Sequence, residues 1–262
     1  MTKSYSQRMI NAAYAKKSTI VLALDPPINS NSSNNNGSNN NSSSLRYQDL
    51  RNFTEKTISA VEQHICAIKM NFHLILPLSA CEILQINNLA HSYGLQSIAD
   101  IKLNDIENTN EIAVEHLVRM GFDAIIANPF MGKGSMKSLV LKAHKANAGL
   151  IALVYMSHTD ASEGFGLVIE RGRPLYKIFM ERAYEAGADG IVVGATQTEI
   201  LKQVAEQGLP VYSPGIGAQG GDIEKAIKSG ADYLIIGRLI IAADQPAKIA
   251  KEVQSRILAV SK

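Results

Sequence analysis

Five charged residues fall at or just beyond the ends of the first three apolar runs of this chain: Asp25, Lys69, Asp100, Lys102 and Asp105. Asp100 and Lys102 are two apart, so on a regular strand both side chains point the same way. Opposite charges alternating in a closed site keep each other ionised. An ammonium held in that way can stabilise a carbanion developing beside it and then give it a proton. Asp-x-Lys alone also fits a solvated ion pair. Lys69 and Asp25 on neighbouring strand ends turn the reading towards chemistry.

A second group suits an anion. The run 214–221 (PGIGAQGG) carries glycines at 215, 217, 220 and 221, and a helix is expected from Asp222. The next apolar run ends in Gly237 and Arg238. Backbone N–H groups of such a loop, a helix N-terminus and a guanidinium fork together match a phosphate dianion. The competing reading is that the glycines only make tight turns. A glycine-rich run can also close over a ligand. Ser157, outside any G-x-S-x-G context, reads as a hydrogen-bond donor to ligand rather than a nucleophile. His73 and His158 follow strand ends, where a surface or core role competes with lining the site. No H-x-x-x-H or C-x-x-C spacing occurs, so no transition-metal site is expected.

These residues need a scaffold that gathers strand ends. Apolar runs at 19–25, 65–70, 95–101, 123–128, 149–156, 189–194, 209–213 and 232–237 read as strands. Amphipathic segments near 46–63, 78–93, 105–120, 134–147, 174–187, 197–207, 221–229 and 246–259 read as helices. Glycines 94, 121, 187, 208 and 230 stand where a left-handed residue would stop a helix before the next strand. Strands apolar on both faces belong to buried parallel sheets. Eight strand–helix pairs predict an α/β fold, the (β/α)8 TIM barrel, whose chemistry sits at the carboxyl ends of the strands. An open doubly wound sheet is the alternative, and the absence of G-x-G-x-x-G after the first strand speaks against it. Residues 4–16 read as a helix capping the barrel floor. The loop 158–172 is long and polar, and is expected to be mobile.

Composition excludes several classes. The chain has 262 residues, 46% of them apolar and 19% charged, with a formal net charge of +2. That fits one barrel domain over 1–262 and gives no electrostatic case for nucleic acid or an anionic membrane as partner. No apolar run approaches the ~20 residues of a membrane span. The polar, basic start does not read as a signal peptide, and two cysteines, Cys66 and Cys81, suit a reducing cytoplasm.

The run 99–109 (ADIKLNDIENT) resembles the D-x-K-x-x-D-I-x-x-T signature of the orotidine 5′-monophosphate decarboxylase family, and the spacing is most similar to its shorter archaeal members. The resemblance extends over nearly the whole chain: 23–25 (ALD), 68–69 (IK), 128–132 (NPFMG), 156–158 (MSH), 214–222 (PGIGAQGGD) and 237–238 (GR) are similar to family segments in the same order. It implies decarboxylation of orotidine 5′-monophosphate to uridine 5′-monophosphate (UMP) without metal or cofactor. Lys102 is then the proton donor, Asp100 lies beside the substrate carboxylate, and Lys69 pairs with Asp100 and touches the ribose. Asp25 binds a ribose hydroxyl and Ser157 the pyrimidine. Pro214, Gly215, Gln219, Gly237 and Arg238 form the phosphate end. Asp105 and Thr109 reach into the neighbouring subunit's site, which implies a homodimer.

Two other functions compete. A magnesium-dependent sugar-phosphate lyase of the same superfamily needs an acidic residue on the second strand, where this chain has Lys69. A non-catalytic phosphate-ligand sensor has no need of Lys102 between two aspartates.

One segment departs from the family pattern. Residues 29–44 (NSNSSNNNGSNNNSSS) hold no apolar side chain, so nothing offsets the entropy of ordering them. They read as a disordered insertion in the loop after the first strand. Deleting 30–43 is expected to leave kcat and KM within a few-fold, measured by steady-state kinetics; loss of activity would contradict this reading.

Overall fold

The structure, a computed structural model, describes residues 3–26, 49–169, 172–217 and 219–260, and the 29–44 segment lies outside them. Among the described residues, eight parallel strands close into a barrel. They are β1 (Ile20–Leu24), β2 (Ala67–Asn71), β3 (Gln96–Leu103), β4 (Ala124–Ala127), β5 (Gly149–Tyr155), β6 (Gly190–Val193), β7 (Val211–Pro214) and β8 (Tyr233–Ile236). Neighbours in sequence are neighbours in the barrel, and β8 closes on β1 with Val21 beside Ile235. The architecture is the expected (β/α)8 barrel and not an open sheet.

Strand alternation builds two cores. Val21, Ala23, Ala67, Ile98, Ile126, Leu153 and Ile235 fill the interior. Ile20, Leu22, Leu24, Ile68, Leu150 and Leu234 belong to the shell packed against the helices. Full burial of each valine, leucine or isoleucine among them contributes about 1.5–3 kcal/mol. The expected glycine stops are present: residues 94, 121, 187, 208 and 230 all have positive φ.

Three of those stops begin a repeated device at the barrel floor. Asp123, Asp189 and Asp232 each stand two residues after a glycine stop, in 121–123 (GFD), 187–189 (GAD) and 230–232 (GAD). Their carboxylates accept from the N–H groups of Ser97 (2.8 Å), Leu150 (2.9 Å) and Val211 (2.8 Å) on the preceding strands. Their own N–H groups donate to the carbonyls of the same three residues. Each aspartate thus ties the start of an even strand to the start of the odd strand before it.

The amino-terminal helix Tyr5–Lys16 closes the floor as expected, with Tyr5, Met9 and Ala12 buried in the interior core. The Tyr5 and Tyr212 hydroxyls lie 3.2 Å apart, and Tyr212 stacks on Tyr233 at 4.7 Å. Arg8 adds hydrogen bonds to Gln96 (3.1 Å) and Asp123 (3.3 Å).

The polar segment after β5 holds secondary structure that was not expected of it. It carries a helix, Ala161–Phe165, and a two-stranded hairpin of Val168–Ile169 with Arg173–Pro174. Phe165 fixes it, with its ring 5.6 Å from Tyr155 and 6.1 Å from Phe179.

At Gly149 a Cβ would come within 2.2 Å of the Tyr5 ring. Gly149→Ala is expected to destabilise the fold by about 1–3 kcal/mol through overpacking, read from denaturation midpoints. An unchanged midpoint would show that the floor helix does not pack where it is placed.

Candidate active site

The carboxyl ends of the strands surround a cavity of about 280 Å³. Its apolar base comes from Ala23, Ile126, Leu153, Val192 and Ile235, and its polar wall from the loops and strand ends above them. Asp25, Lys69, Asp100, Lys102, Ser157, Pro214, Gly215, Gln219, Gly237 and Arg238 all line it. Their chain positions run from the first strand to the eighth, so barrel closure brings them together.

Asp100 is the centre of the charged side. Its Oδ2 accepts from Lys69 Nζ at 2.6 Å and its Oδ1 from Lys102 Nζ at 2.8 Å. Lys69 is 4% exposed and Asp100 8%, so both charges are buried. Lys69 also donates to Asn71 Oδ1, and Asn71 Nδ2 donates to Asp25 Oδ1. The result is an unbroken line: Lys102, Asp100, Lys69, Asn71, Asp25. Burial pushes the Asp100 carboxyl up, but the charges of Lys69 and Lys102 and their hydrogen bonds outweigh it and hold it below the ordinary aspartate value.

Simple alternation does not explain how Asp100 and Lys102 meet. Opposite β4, Ala99 stands beside Ile125 and Leu103 beside Ala127, so the register shifts within β3. Lys102 lies inside this bulge with φ +49°, in the left-handed region. That conformation costs a non-glycine residue about 1–3 kcal/mol and persists only where its surroundings enforce it. The bulge re-aims a side chain at the rim of the barrel. The expected convergence holds, but the physical reason is the bulge and not the period of a regular strand.

The glycine-rich loop also differs from expectation in detail. The N–H groups of Gly217, Gly220 and Gly221 are used within the loop, on the carbonyls of Gly221, Gly217 and Gly215. The helix Ile223–Lys228 is capped by the Asp222 carboxylate, which accepts from Lys225 N at 2.8 Å. That carboxylate engages one N–H of the helix start. The cavity is faced by Gln219 and Arg238, both exposed. Glycine is required at 215, where φ is +100° and a Cβ would lie 2.8 Å from Gln219 Oε1. At 237 a Cβ would press on Asp25 Oδ2 at 3.1 Å.

Asp105 and Thr109 are exposed and do not line this cavity. The rim segment that carries Asp105 is pinned by buried Asn110. Its Oδ1 accepts from Asp105 N (3.1 Å), and its Nδ2 donates to the Asp105 carbonyl (2.6 Å). His158 lines the cavity, whereas His73 is exposed and does not. Asn71 was not picked out from sequence, although Lys-x-Asn at a strand end places two polar side chains on one face. Among the described residues, no group of three or more His, Cys, Asp or Glu is placed to hold a metal ion.

The family described as orotidine 5′-phosphate decarboxylase / HUMPS matches residues 18–253. The chain belongs to this family. It is 35% identical over 205 residues to the orotidine 5′-phosphate decarboxylase of Pyrococcus abyssi, covering 77% of this chain and 91% of that protein. With the Pyrococcus horikoshii enzyme of the same name it shares 35% identity over 208 residues, 78% of this chain and 93% of that one. The crystal structure of the orotidine 5′-monophosphate decarboxylase of Methanocaldococcus jannaschii, complexed with the inhibitor BMP, superposes with a TM-score of 0.72. That alignment has 28% identity and covers 91% of this chain and 98% of that one.

The ionised Asp100 stabilises the fold above the ordinary aspartate value, and this contribution is lost as pH falls through its lowered folded value. Asp100→Asn leaves two ammonium groups without a counter-charge and is expected to cost about 3 kcal/mol at pH 7. The gap between variant and wild type should narrow in acid, followed by urea denaturation at several pH values. A gap independent of pH would contradict the assignment of an ionised Asp100.

Proposed function

We propose that this chain decarboxylates orotidine 5′-monophosphate to UMP in the cavity at the barrel mouth, with Lys102 stabilising and protonating the carbanion. Family membership and the named relatives support the reaction. The observation that carries the residue assignment is the Lys102–Asp100–Lys69 triad facing that cavity.

The carbon–carbon bond to the carboxylate breaks and CO₂ departs, leaving the electron pair on the ring carbon. The Lys102 ammonium offsets that charge, gives the carbon its proton and is reprotonated from solvent. Asp100 holds the ammonium in place. A fixed charge in a site of low polarity needs no reorganisation as the carbanion forms. Asp100 lies beside the substrate carboxylate, and the stabilising role of Lys102 ranks above any repulsion from Asp100. Asp25 and Lys69 take the ribose and Ser157 the pyrimidine. Pro214, Gly215, Gln219, Gly237 and Arg238 receive the phosphate. Contacts remote from the reacting carbon supply binding energy for orientation there.

The reaction as proposed uses no metal. A buried ammonium at 69 repels a divalent cation where the sugar-phosphate lyases hold theirs. A homodimer is supported by exposed apolar residues that follow strands β2, β3 and β4: Leu76 at 75%, Ile106 at 71%, beside exposed Asp105, and Phe130 at 64%. Asp105 and Thr109 would complete the neighbouring site. A cytoplasmic location fits two free thiols, and no helix of the described residues is long and apolar enough to cross a membrane.

A spectrophotometric assay with orotidine 5′-monophosphate should show turnover that EDTA does not alter. Lys102→Ala should lower kcat at least about 10³-fold while UMP binding stays measurable. Arg238→Ala should mainly raise KM, by about 10–100-fold, as expected for a charged hydrogen bond made before the transition state. Turnover abolished by chelator, or retained by Lys102→Ala, would overturn the assignment.

A further inference from the structure

Asn71 takes no part in the chemistry just described, yet it sits in the charged line between Lys69 and Asp25. It ends β2, two residues after Lys69, so the two side chains share a face. In the ladder it stands directly beside Asp100. Only one orientation of its amide satisfies both neighbours: Oδ1 towards the ammonium and Nδ2 towards the carboxylate. The Lys69 ammonium has carboxylates to either side, on β3 and just past β1. Direct pairing with Asp25 would draw it away from Asp100 and occupy the oxygens that a ligand hydroxyl needs.

Resting on the function proposed above, we infer that Asn71 is a positioning residue, a neutral spacer that commits Lys69 to Asp100 and keeps Asp25 available to a ribose hydroxyl of the substrate. An amide does this because it gives and accepts a hydrogen bond without charge. An aspartate at 71 has the same shape, but it would place three carboxylates in a row and compete for Lys69. An alanine would leave Lys69 and Asp25 to approach each other.

The test compares wild type, Asn71→Ala and Asn71→Asp. Each is assayed with orotidine 5′-monophosphate and titrated with UMP, 2′-deoxy-UMP and 3′-deoxy-UMP by calorimetry. In wild type, loss of the hydroxyl that meets Asp25 should weaken binding by about tenfold or more, the worth of a hydrogen bond to a charged group. In Asn71→Ala that penalty should shrink to within about threefold, because Asp25 is then held by Lys69. In Asn71→Asp, kcat should fall more than KM rises, because Lys69 is diverted from Asp100. A purely structural role would weaken all three nucleotides alike and leave their ratios unchanged. A wild type that turns over, with unchanged hydroxyl ratios in Asn71→Ala, overturns this inference alone. A wild type that does not decarboxylate the substrate overturns it together with the function on which it rests.

Discussion

A carboxylate clamped between two ammonium groups governs the architecture of this mouth. Taking Asp100 and Lys69 out of water costs several kcal/mol per ion, and only close, well-directed partners return it. The partners are present: both oxygens of Asp100 accept from lysine, and Lys69 spends a second donor on Asn71. Charges fixed in advance in this way are what the proposed chemistry needs, because they meet new negative charge with little reorganisation.

The rest of the molecule keeps that cluster rigid. The bulge in β3 gives Lys102 a left-handed backbone that an unsupported segment would relax. Support comes from the strands on either side and from a floor tied by hydrogen bonds. Tyr5 and Arg8 plug and staple the bottom, and Asp123, Asp189 and Asp232 tie strand starts in pairs. The carboxyl-terminal face carries the bulge at Lys102 and the exposed Arg238 and Gln219. This is the division of labour expected of the barrel, with chemistry and scaffold at opposite ends.

Much of this was legible in the sequence, for physical reasons. Doubly buried parallel strands must be apolar throughout, and helices must stop before the next strand begins, so runs such as 149–156 and glycines such as Gly187 expose the repeat directly. Charged residues at strand ends stand out against that apolar background, which is how Asp25, Lys69, Asp100 and Lys102 were found. The bulge was not legible, because the pattern Asp-x-Lys is the same on a regular strand and a bulged one. Asn71 was missed because a neutral amide carries no charge signal, although its position beside Lys69 does. The engaged N–H groups of the glycine-rich loop depend on turn geometry that glycine spacing alone leaves open. The aspartate clamps were hidden for a different reason: each G-x-D reads first as a helix stop, and its partner lies on another strand.

In the proposed reaction a positioned Lys102 ammonium meets a carbanion on the pyrimidine ring. The most direct measurement is the exchange of hydrogen for deuterium at the ring carbon that has lost CO₂, followed by NMR on enzyme-bound UMP in D₂O. Wild type is predicted to catalyse this exchange well above the rate in free solution, and Lys102→Ala to lose it while still binding UMP. Exchange that continues at the wild-type rate without the lysine would contradict the account.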